Sequence, residues 1–507
     1  MSAATLAVRS PVDGRLLREL PVQGDGEVRG AVDRARAAQK SWAALPVSER
    51  ARRMRRLARV LGERGEDIAT SIRAETGKPP SDALAEVVVS VDLIRYYARV
   101  AAKYLAPRRT GTGWLLSKSG WVEREPFGVV GAITPWNYPF IIAMDCVTPA
   151  LFAGNGVVVK PSEFTPVTTL LIPELCAQAG IPAQLVQVVT GDGGTGRALI
   201  GAGVDRVVFT GSTGTGRKVM EAASQTLTPV TLELGGKDAA VVLEDADLER
   251  AARGIVFGGF FNAGQTCISV ERVFVVRSVY EPFLARVVAA TKELRVGNDA
   301  AAEVGPMITE QQIALVEGQV RNAVSRGARA LTGGVRPPGE GRVFPPTVLV
   351  DVDDSMDVMR DETFGPILPI TPVDDEDDAV QRANASGYGL FASVWTGSRR
   401  RGLAVARRLR AGGVSINDVL SHYSVPHLPV GGVGDSGFGR RRGLEGLDEM
   451  TRTRTLLADR FGLRREPWWF PYSPTSVRMM QSVLDWRSRG GVGGLWRAAR
   501  RLLGRNV

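Results

Sequence analysis

Apolar positions in the first hundred residues recur at helical spacing: Ala31-Val32, Ala35, Ala38 and Trp42, then Leu57, Val60-Leu61, Ile68 and Ile72. Arg52, Arg53, Arg55 and Arg56 fill the other faces as solvated positions, and Gly77 and Pro79 of Glu75-Thr76-Gly77-Lys78-Pro79 stop the pattern. Ser10-Pro11-Val12-Asp13-Gly14 reads as a turn between two short strands. Thr110 to Pro126 reads as a strand-turn-strand hairpin with apolar positions on both arms. From there the period alternates. Short apolar strands are predicted over 128–133, 157–160, 185–190 and 206–210, with helices over 165–179 and 194–200. A second series has strands over 239–243 and 272–276, a helix over 247–257, and continued alternation to Val414-Ser415-Ile416-Asn417. Short strands separated by helices predict parallel sheets, so the fold expected is α/β, with two doubly wound parallel-sheet domains and a β-hairpin arm.

After Thr455 the character changes. Glu466-Pro467-Trp468-Trp469-Phe470-Pro471-Tyr472 is aromatic and proline-braced, and 474–486 reads as a short helix. Over 495–505, Leu495, Trp496, Ala499, Leu502 and Leu503 share one face, and Arg497, Arg500, Arg501 and Arg505 take the other. Such a basic amphipathic helix either lies on an anionic membrane surface or packs on its own protein or a sister subunit.

Charge sharpens this picture. The net charge is +10, but ten arginines against Glu466 and Asp485 between Arg460 and Val507 account for eight of those charges. The body is near neutral, and no basic face with aromatic platforms suggests nucleic-acid binding. At 507 residues the chain exceeds one core, and 44% hydrophobic residues with 58 glycines suit a well-buried, turn-rich α/β protein. Cys146, Cys176 and Cys267 have neither metal nor disulfide-framework spacing, which points to a reducing, cytoplasmic setting. No signal-peptide pattern is read in Met1 to Gly14, and no apolar run reaches the ~20 residues of a spanning helix.

The candidate chemistry centres on Phe261-Asn262-Ala263-Gly264-Gln265-Thr266-Cys267-Ile268-Ser269, where one cysteine follows an apolar helix among small and amide residues. A thiol attacks as the thiolate and needs a base or positive potential. The only histidines, His422 and His427, lie far downstream, in a proline-containing loop whose spacing offers no metal face. A carboxylate, Glu233 in Thr231-Leu232-Glu233-Leu234-Gly235-Gly236-Lys237, lies 34 positions upstream of Cys267 and is the candidate base. Gly211-Ser212-Thr213-Gly214-Thr215-Gly216 follows a strand and opens a helix, the geometry that receives a pyrophosphate or simply packs helix on strand. Trp136-Asn137 sit at the carboxyl end of the 128–133 strand, where α/β sheets bind ligands.

The E-L-G-G-K and F-N-A-G-Q-T-C segments, with Pro135-Trp136-Asn137-Tyr138-Pro139, Lys160-Pro161-Ser162-Glu163, Phe209 to Gly216, Glu362-Thr363-Phe364-Gly365-Pro366 and Ser436-Gly437-Phe438-Gly439-Arg440, resemble the NAD(P)-dependent aldehyde dehydrogenase superfamily, non-acylating branch, over roughly the first nine-tenths of the chain. The resemblance implies aldehyde oxidation through a thiohemiacetal and a thioester on Cys267, with the Asn137 amide and the Cys267 N–H meeting the oxyanion and Glu233 activating water. A carboxylate beside an apolar pocket is expected to have a raised pKa. The implied cofactor residues are Trp136, Lys160, Ser162, Glu163, Gly211, Ser212, Gly216, Glu362 and Phe364, with no metal. Glu163 suits a free ribose 2′-hydroxyl, which favours NAD over the alternative, NADP. The implied divisions are 1–110 with 127–235 for NAD, 236–448 for catalysis, 111–126 with about 449–460 as an oligomerisation arm of a homodimer or homotetramer, and 461–507 as the basic extension.

Substrate is read from two departures. Asp145 stands where many relatives carry an aromatic funnel residue, and Phe261, beside Phe260, stands where semialdehyde members often carry arginine. These predict an apolar funnel for an aliphatic or aromatic aldehyde, with Asp145 the residue that suits it least. The alternatives are a succinate-semialdehyde-type dehydrogenase and, in a different class, a non-catalytic membrane-tethered scaffold. Cys146 and Cys176 are expected as small core residues.

Overall fold

Alternating residues of one strand already show how the fold is layered. In a computed structural model, which describes residues 4–299, 301–339, 341–489, 496, 497 and 500, Val157 and Val159 of the strand Gly156–Lys160 pack into one apolar cluster and Val158 into another. The first cluster gathers the helices Val47–Glu63, Gly65–Thr76, Pro80–Tyr104 and Ile141–Ala153, and the second gathers Asp25–Ala43, Gly193–Gly201 and Thr213–Ser224. A strand buried on both faces with helices either side is a doubly wound sheet. Its order is Gly437–Phe438, Val230–Glu233, Arg206–Thr210, Val129–Ile133, Gly156–Lys160, Val186–Val188. All pairs are parallel except the edge pair Gly437–Phe438 with Val230–Glu233, so a segment from late in the chain completes the sheet.

The second sheet has seven strands, in the order Arg329–Ala330, Thr347–Val350, Ile367–Val373, Val270–Val276, Asp238–Val242, Phe391–Trp395, Gly413–Ile416, with only its first pair antiparallel. Both sheets belong to one compact unit, residues 1–105 with 125–452. Residues 106–124 and 453–507 form a second unit, built on a three-stranded sheet ordered Thr451–Asp459, Lys118–Pro126, Arg108–Thr110. Ion pairs from Lys118 to Asp459 at 2.8 Å and from Arg454 to Glu123 at 2.6 Å tie it together.

Two expectations are corrected. The hairpin's first arm is the fully exposed Arg108–Thr110, pairing Arg109 with Trp121, while Trp114 lies in the turn. The helix expected over 165–179 is two, Pro166–Thr169 and Ile172–Gln178, because Pro173 has no N–H to give the Thr169 carbonyl. The extended segment is followed by the helix Pro474–Arg489, whereas the amphipathic helix expected over 495–505 falls largely outside the described residues. Among the described residues no helix is long and apolar enough to cross a membrane.

Candidate active site

The register of the first sheet brings its chemistry to one edge. Ile133, Lys160 and Phe209 align across three strands, and Thr210 pairs with Glu233 on the next. Segments leaving this carboxyl edge supply Trp136, Asn137, Ser162, Glu163, Gly211 and Ser212.

Cys267 is presented by a strained turn. The helix Leu248–Phe260 ends, and Asn262 and Ala263 take left-handed conformations with φ of 54° and 55°. Non-glycine residues hold such angles only where their surroundings enforce them. Gly264, φ 70°, is required because a Cβ there would sit 2.2 Å from the Gly365 carbonyl oxygen. Amides lock the turn: Gln265 Nε2 donates to the Asn262 carbonyl at 2.9 Å, its Oε1 accepts from the Ile308 N–H at 2.9 Å, and Asn262 Nδ2 donates to the Gln265 and Asn137 carbonyls at 3.1 and 3.2 Å. Asn137 Nδ2 donates to the Gln265 carbonyl at 2.8 Å, which leaves that amide nitrogen its second N–H. The buried Lys78 ammonium donates to the Asn137 carbonyl at 2.8 Å and to Glu86 Oε1 at 2.7 Å.

Cys267 borders two cavities. The first, about 250 Å³, is walled by Tyr138, Ile141, Ile142, Phe257, Phe261, Ile268, Leu420 and Tyr423, with Asp82 and Glu86 on the same wall. Among the described residues no lysine, arginine or histidine lines it. Glu86 is saturated by Lys78 and by the N–H groups of Phe140 and Ile141, each 3.0 Å from Oε2. Asp82 Oδ2 is buried without a partner, and burial pushes that carboxyl up to about 6.

The second cavity, about 230 Å³, is lined by Trp136, Asn137, Gly211, Ser212, Glu362 and Phe364 on the way to Cys267. Ser212 caps the helix Thr213–Ser224, its Oγ accepting from the Thr215 N–H at 3.3 Å. The free N–H groups of that first turn suit an anionic ligand. Glu362 Oε1 accepts from the Gly236 N–H at 3.1 Å, and a Cβ on Gly235 would lie 2.2 Å from the same carboxylate, which explains glycine there. Burial, then the neighbouring Glu271, pushes the Glu362 carboxyl up to about 8. Glu271 accepts from Lys237 at 2.7 Å and from the Thr363 and Phe364 N–H groups at 2.8 Å, and Phe364 meets the Trp136 ring edge-on at 5.3 Å. Lys160, Ser162, Glu163 and Gly216 do not line this cavity. Lys160 Nζ lies 3.5 Å from Glu163 Oε2, which also accepts from Ser162 Oγ at 3.3 Å, and burial lowers the lysine pKa. Gly216 lets its helix press on the sheet, since a Cβ would meet Leu234 at 2.5 Å. The helix N-terminus, the Glu362 carboxylate and the Trp136–Phe364 pair fit a dinucleotide.

Burial first, then the carboxylates of Asp238 and Glu362, push Cys267 up to about 12. Glu233 does not line the apolar cavity. Its Oε2 is ion-paired with the buried Arg441 guanidinium, Oε1 has no partner among the described residues, and the side chain lines neither cavity. Asp145 is likewise not a free funnel charge: it is fully buried, receives Arg442 Nη2 at 2.9 Å and Nε at 3.1 Å, and accepts from the Tyr423 hydroxyl. Sequence reasoning missed Lys78, Asp82, Glu86, Tyr423 and the two arginines. The Arg440-Arg441-Arg442 run after Gly439 carried a signal, because consecutive arginines inside an apolar fold need buried carboxylates. Cys146 and Cys176 are core residues as expected, and His422 and His427 pack on Phe391 and Tyr96 at ring distances of 5.1 and 4.3 Å.

Comparison with known proteins agrees with this geometry. The chain is 41% identical over 484 residues to the 4,4'-diapolycopene aldehyde oxidase of a Methylomonas species, covering 95% of this chain and 91% of that one. An NAD-dependent aldehyde dehydrogenase from Sinorhizobium meliloti superposes with a TM-score of 0.88 at 38% identity, covering 92% and 93% of the two chains. A succinate-semialdehyde dehydrogenase from Burkholderia pseudomallei does so with a TM-score of 0.87 at 35% identity, covering 90% and 95%. The sequence model of the aldehyde dehydrogenase family matches residues 1–456, and the chain belongs to that family.

Proposed function

We propose that this aldehyde dehydrogenase oxidises a neutral, apolar aldehyde to the carboxylic acid with NAD. The observation that carries the substrate class is the first cavity, whose lining is aromatic and aliphatic and offers no cation to a substrate carboxylate among the described residues. A semialdehyde would meet the buried Asp82 carboxyl instead. The relative named for a diapolycopene aldehyde supports the same reading, and the one named for succinate semialdehyde defines the alternative.

Cys267 gives up its thiol proton to solvent and adds through Sγ to the aldehyde carbon, and the resulting oxyanion is met by the remaining Asn137 N–H and the Cys267 backbone N–H. NAD, when bound, would supply the acceptor for the hydride lost from the aldehyde carbon and a positive charge near the sulfur, and Cys267 would be left carrying the acyl group as a thioester. Glu233 then takes a proton from water, which adds to the thioester carbon and breaks the C–S bond, releasing the acid. Trp136, Gly211, Ser212 and Phe364 hold the cofactor at the second cavity. Lys160, Ser162 and Glu163 hold its adenosine ribose, Glu362 its nicotinamide ribose, and Gly216 the close helix packing. The six-stranded sheet serves as the cofactor domain and the seven-stranded sheet as the catalytic one. The three-stranded arm, with Leu456 and Leu457 exposed, serves a homodimer or homotetramer, and the basic extension serves peripheral contact with an anionic membrane.

NADH or NADPH absorbance, each cofactor supplied in turn across alkanals of rising length and succinate semialdehyde, tests the reading beside a Cys267→Ala control. Turnover that needs Cys267 and rises with chain length is expected. A specificity constant for succinate semialdehyde well above that for hexanal or benzaldehyde overturns the substrate class. Loss of binding to anionic liposomes after removal of residues 461–507, with turnover kept, is the expected result for the extension.

A further inference from the structure

The Glu233–Arg441 contact is an unusual way to hold a side chain that must handle a proton. Both partners are buried, with side-chain exposures of 5% and 2%. A buried ion pair that serves only structure is normally saturated, because every unmet donor or acceptor inside costs stability. Here Arg441 Nε and Nη1 and Glu233 Oε1 all lack hydrogen-bond partners among the described residues. The pair sits at the carboxyl edge of the first sheet, directly before Leu234 and Gly235, which border the second cavity beside Cys267. Glu233 itself is withdrawn from both cavities.

We propose that Arg441 is the positioning residue for the base: it keeps Glu233 ionised inside the protein and holds it at the sheet edge, behind the Leu234-Gly235 lining of the second cavity, so that hydrolysis of the thioester depends on Arg441 while acylation does not. The inference rests on the reading of Glu233 as the base. Among the described residues no other cation is hydrogen-bonded to Glu233, so Arg441 is what offsets the desolvation of its carboxylate. The remaining ionisable groups nearby are already committed. Cys146 on the neighbouring helix faces Arg441 but is a thiol pushed up to about 11 by burial. Asp145, next to it, is neutralised by Arg442. Glu449, which meets Thr231 on the strand of Glu233, is paired with Arg206.

In Arg441→Met the buried carboxylate loses its countercharge and takes up a proton at neutral pH, which removes the base until the pH is raised. The test separates acylation from hydrolysis by stopped-flow NADH formation, with the burst reporting hydride transfer and the steady state reporting thioester hydrolysis. The expected result for Arg441→Met is a full burst, a steady-state rate at least tenfold lower at neutral pH, and recovery as pH rises. The acid limb of the steady-state profile should move up by about one to three pH units, the span that an opposite charge at contact distance controls. Arg441→Lys should restore the limb. If Arg441→Met gives no burst, Arg441→Gln is read by the same criteria. A wild-type acid limb in a bursting neutral variant, or an equal loss at every pH, overturns the proposal. Glu233→Gln is the parallel control: an unchanged steady state there overturns the base reading itself, whatever the arginine variants do.

Discussion

The resting Cys267 thiol should be a poor nucleophile whose reactivity is set by pH and by cofactor. Its pKa is pushed from 9.0 to about 12, so at pH 8 the thiolate fraction is about a thousandth of that of an ordinary cysteine, equivalent to roughly 4 kcal/mol. Burial is the main cause, with the carboxylates of Asp238 and Glu362 adding to it. Iodoacetamide alkylation of the free enzyme, followed by mass spectrometry of the Cys267 peptide, should therefore be slow and rise about tenfold per pH unit from pH 7 to 10. The slope isolates ionisation from access, because access does not follow pH. Saturating NAD should accelerate alkylation at fixed pH, since it brings a positive charge to the sulfur, whereas NADH should not. Fast alkylation with a flat pH profile below pH 8 in the free enzyme would refute the reasoning, because it would mean a preformed thiolate.

Other residues carry separate expectations. Asp82 has its carboxyl raised to about 6 by burial, so it is charged above that pH and neutral below. The kcat/KM for succinate semialdehyde relative to hexanal should accordingly rise as pH falls from 7 to 5, and Asp82→Asn should raise that ratio at pH 7 by fivefold or more. Asn137→Ala removes one oxyanion donor and should cost about 10²–10³ in kcat with little change in NAD affinity by titration. Lys78→Met breaks a buried pair with Glu86 and should cost about 3–5 kcal/mol in urea unfolding, and Lys78→Met with Glu86→Gln together should cost less than the sum of the two single changes.

What could be read from the chain follows from how local each signal is. The strands Gly156–Lys160 and Arg206–Thr210 are continuous apolar runs between turn residues, which only a strand buried on both faces requires. Gly77 at φ 70° ends its helix where the glycine-proline pair predicted. Arg108–Thr110 was missed because its three residues are all exposed and it exists only through backbone pairing with residues 120–122. At the site, motif and order single out Cys267, Asn137 and Gly211 as candidates, and the three line one cavity. The partners of Glu233 and Asp145 were not, because Arg441 and Arg442 lie 208 and 297 positions away and no local pattern encodes such a pairing. The apolar lining was anticipated through Phe261, but the two carboxylates of that cavity belong to the helix Pro80–Tyr104, whose place beside Tyr138 and Cys267 only the fold supplies.

Trapping the acyl-enzyme tests the account most directly. Glu233→Gln incubated with NAD and hexanal, then quenched in acid and digested, should yield a Cys267 peptide heavier by the aldehyde mass less two hydrogens, with one NADH formed per site. Folded, NAD-binding protein that carries no such adduct, or carries it on Cys146 or Cys176, would contradict the assignment of Cys267 as nucleophile and Glu233 as the base that releases the acid.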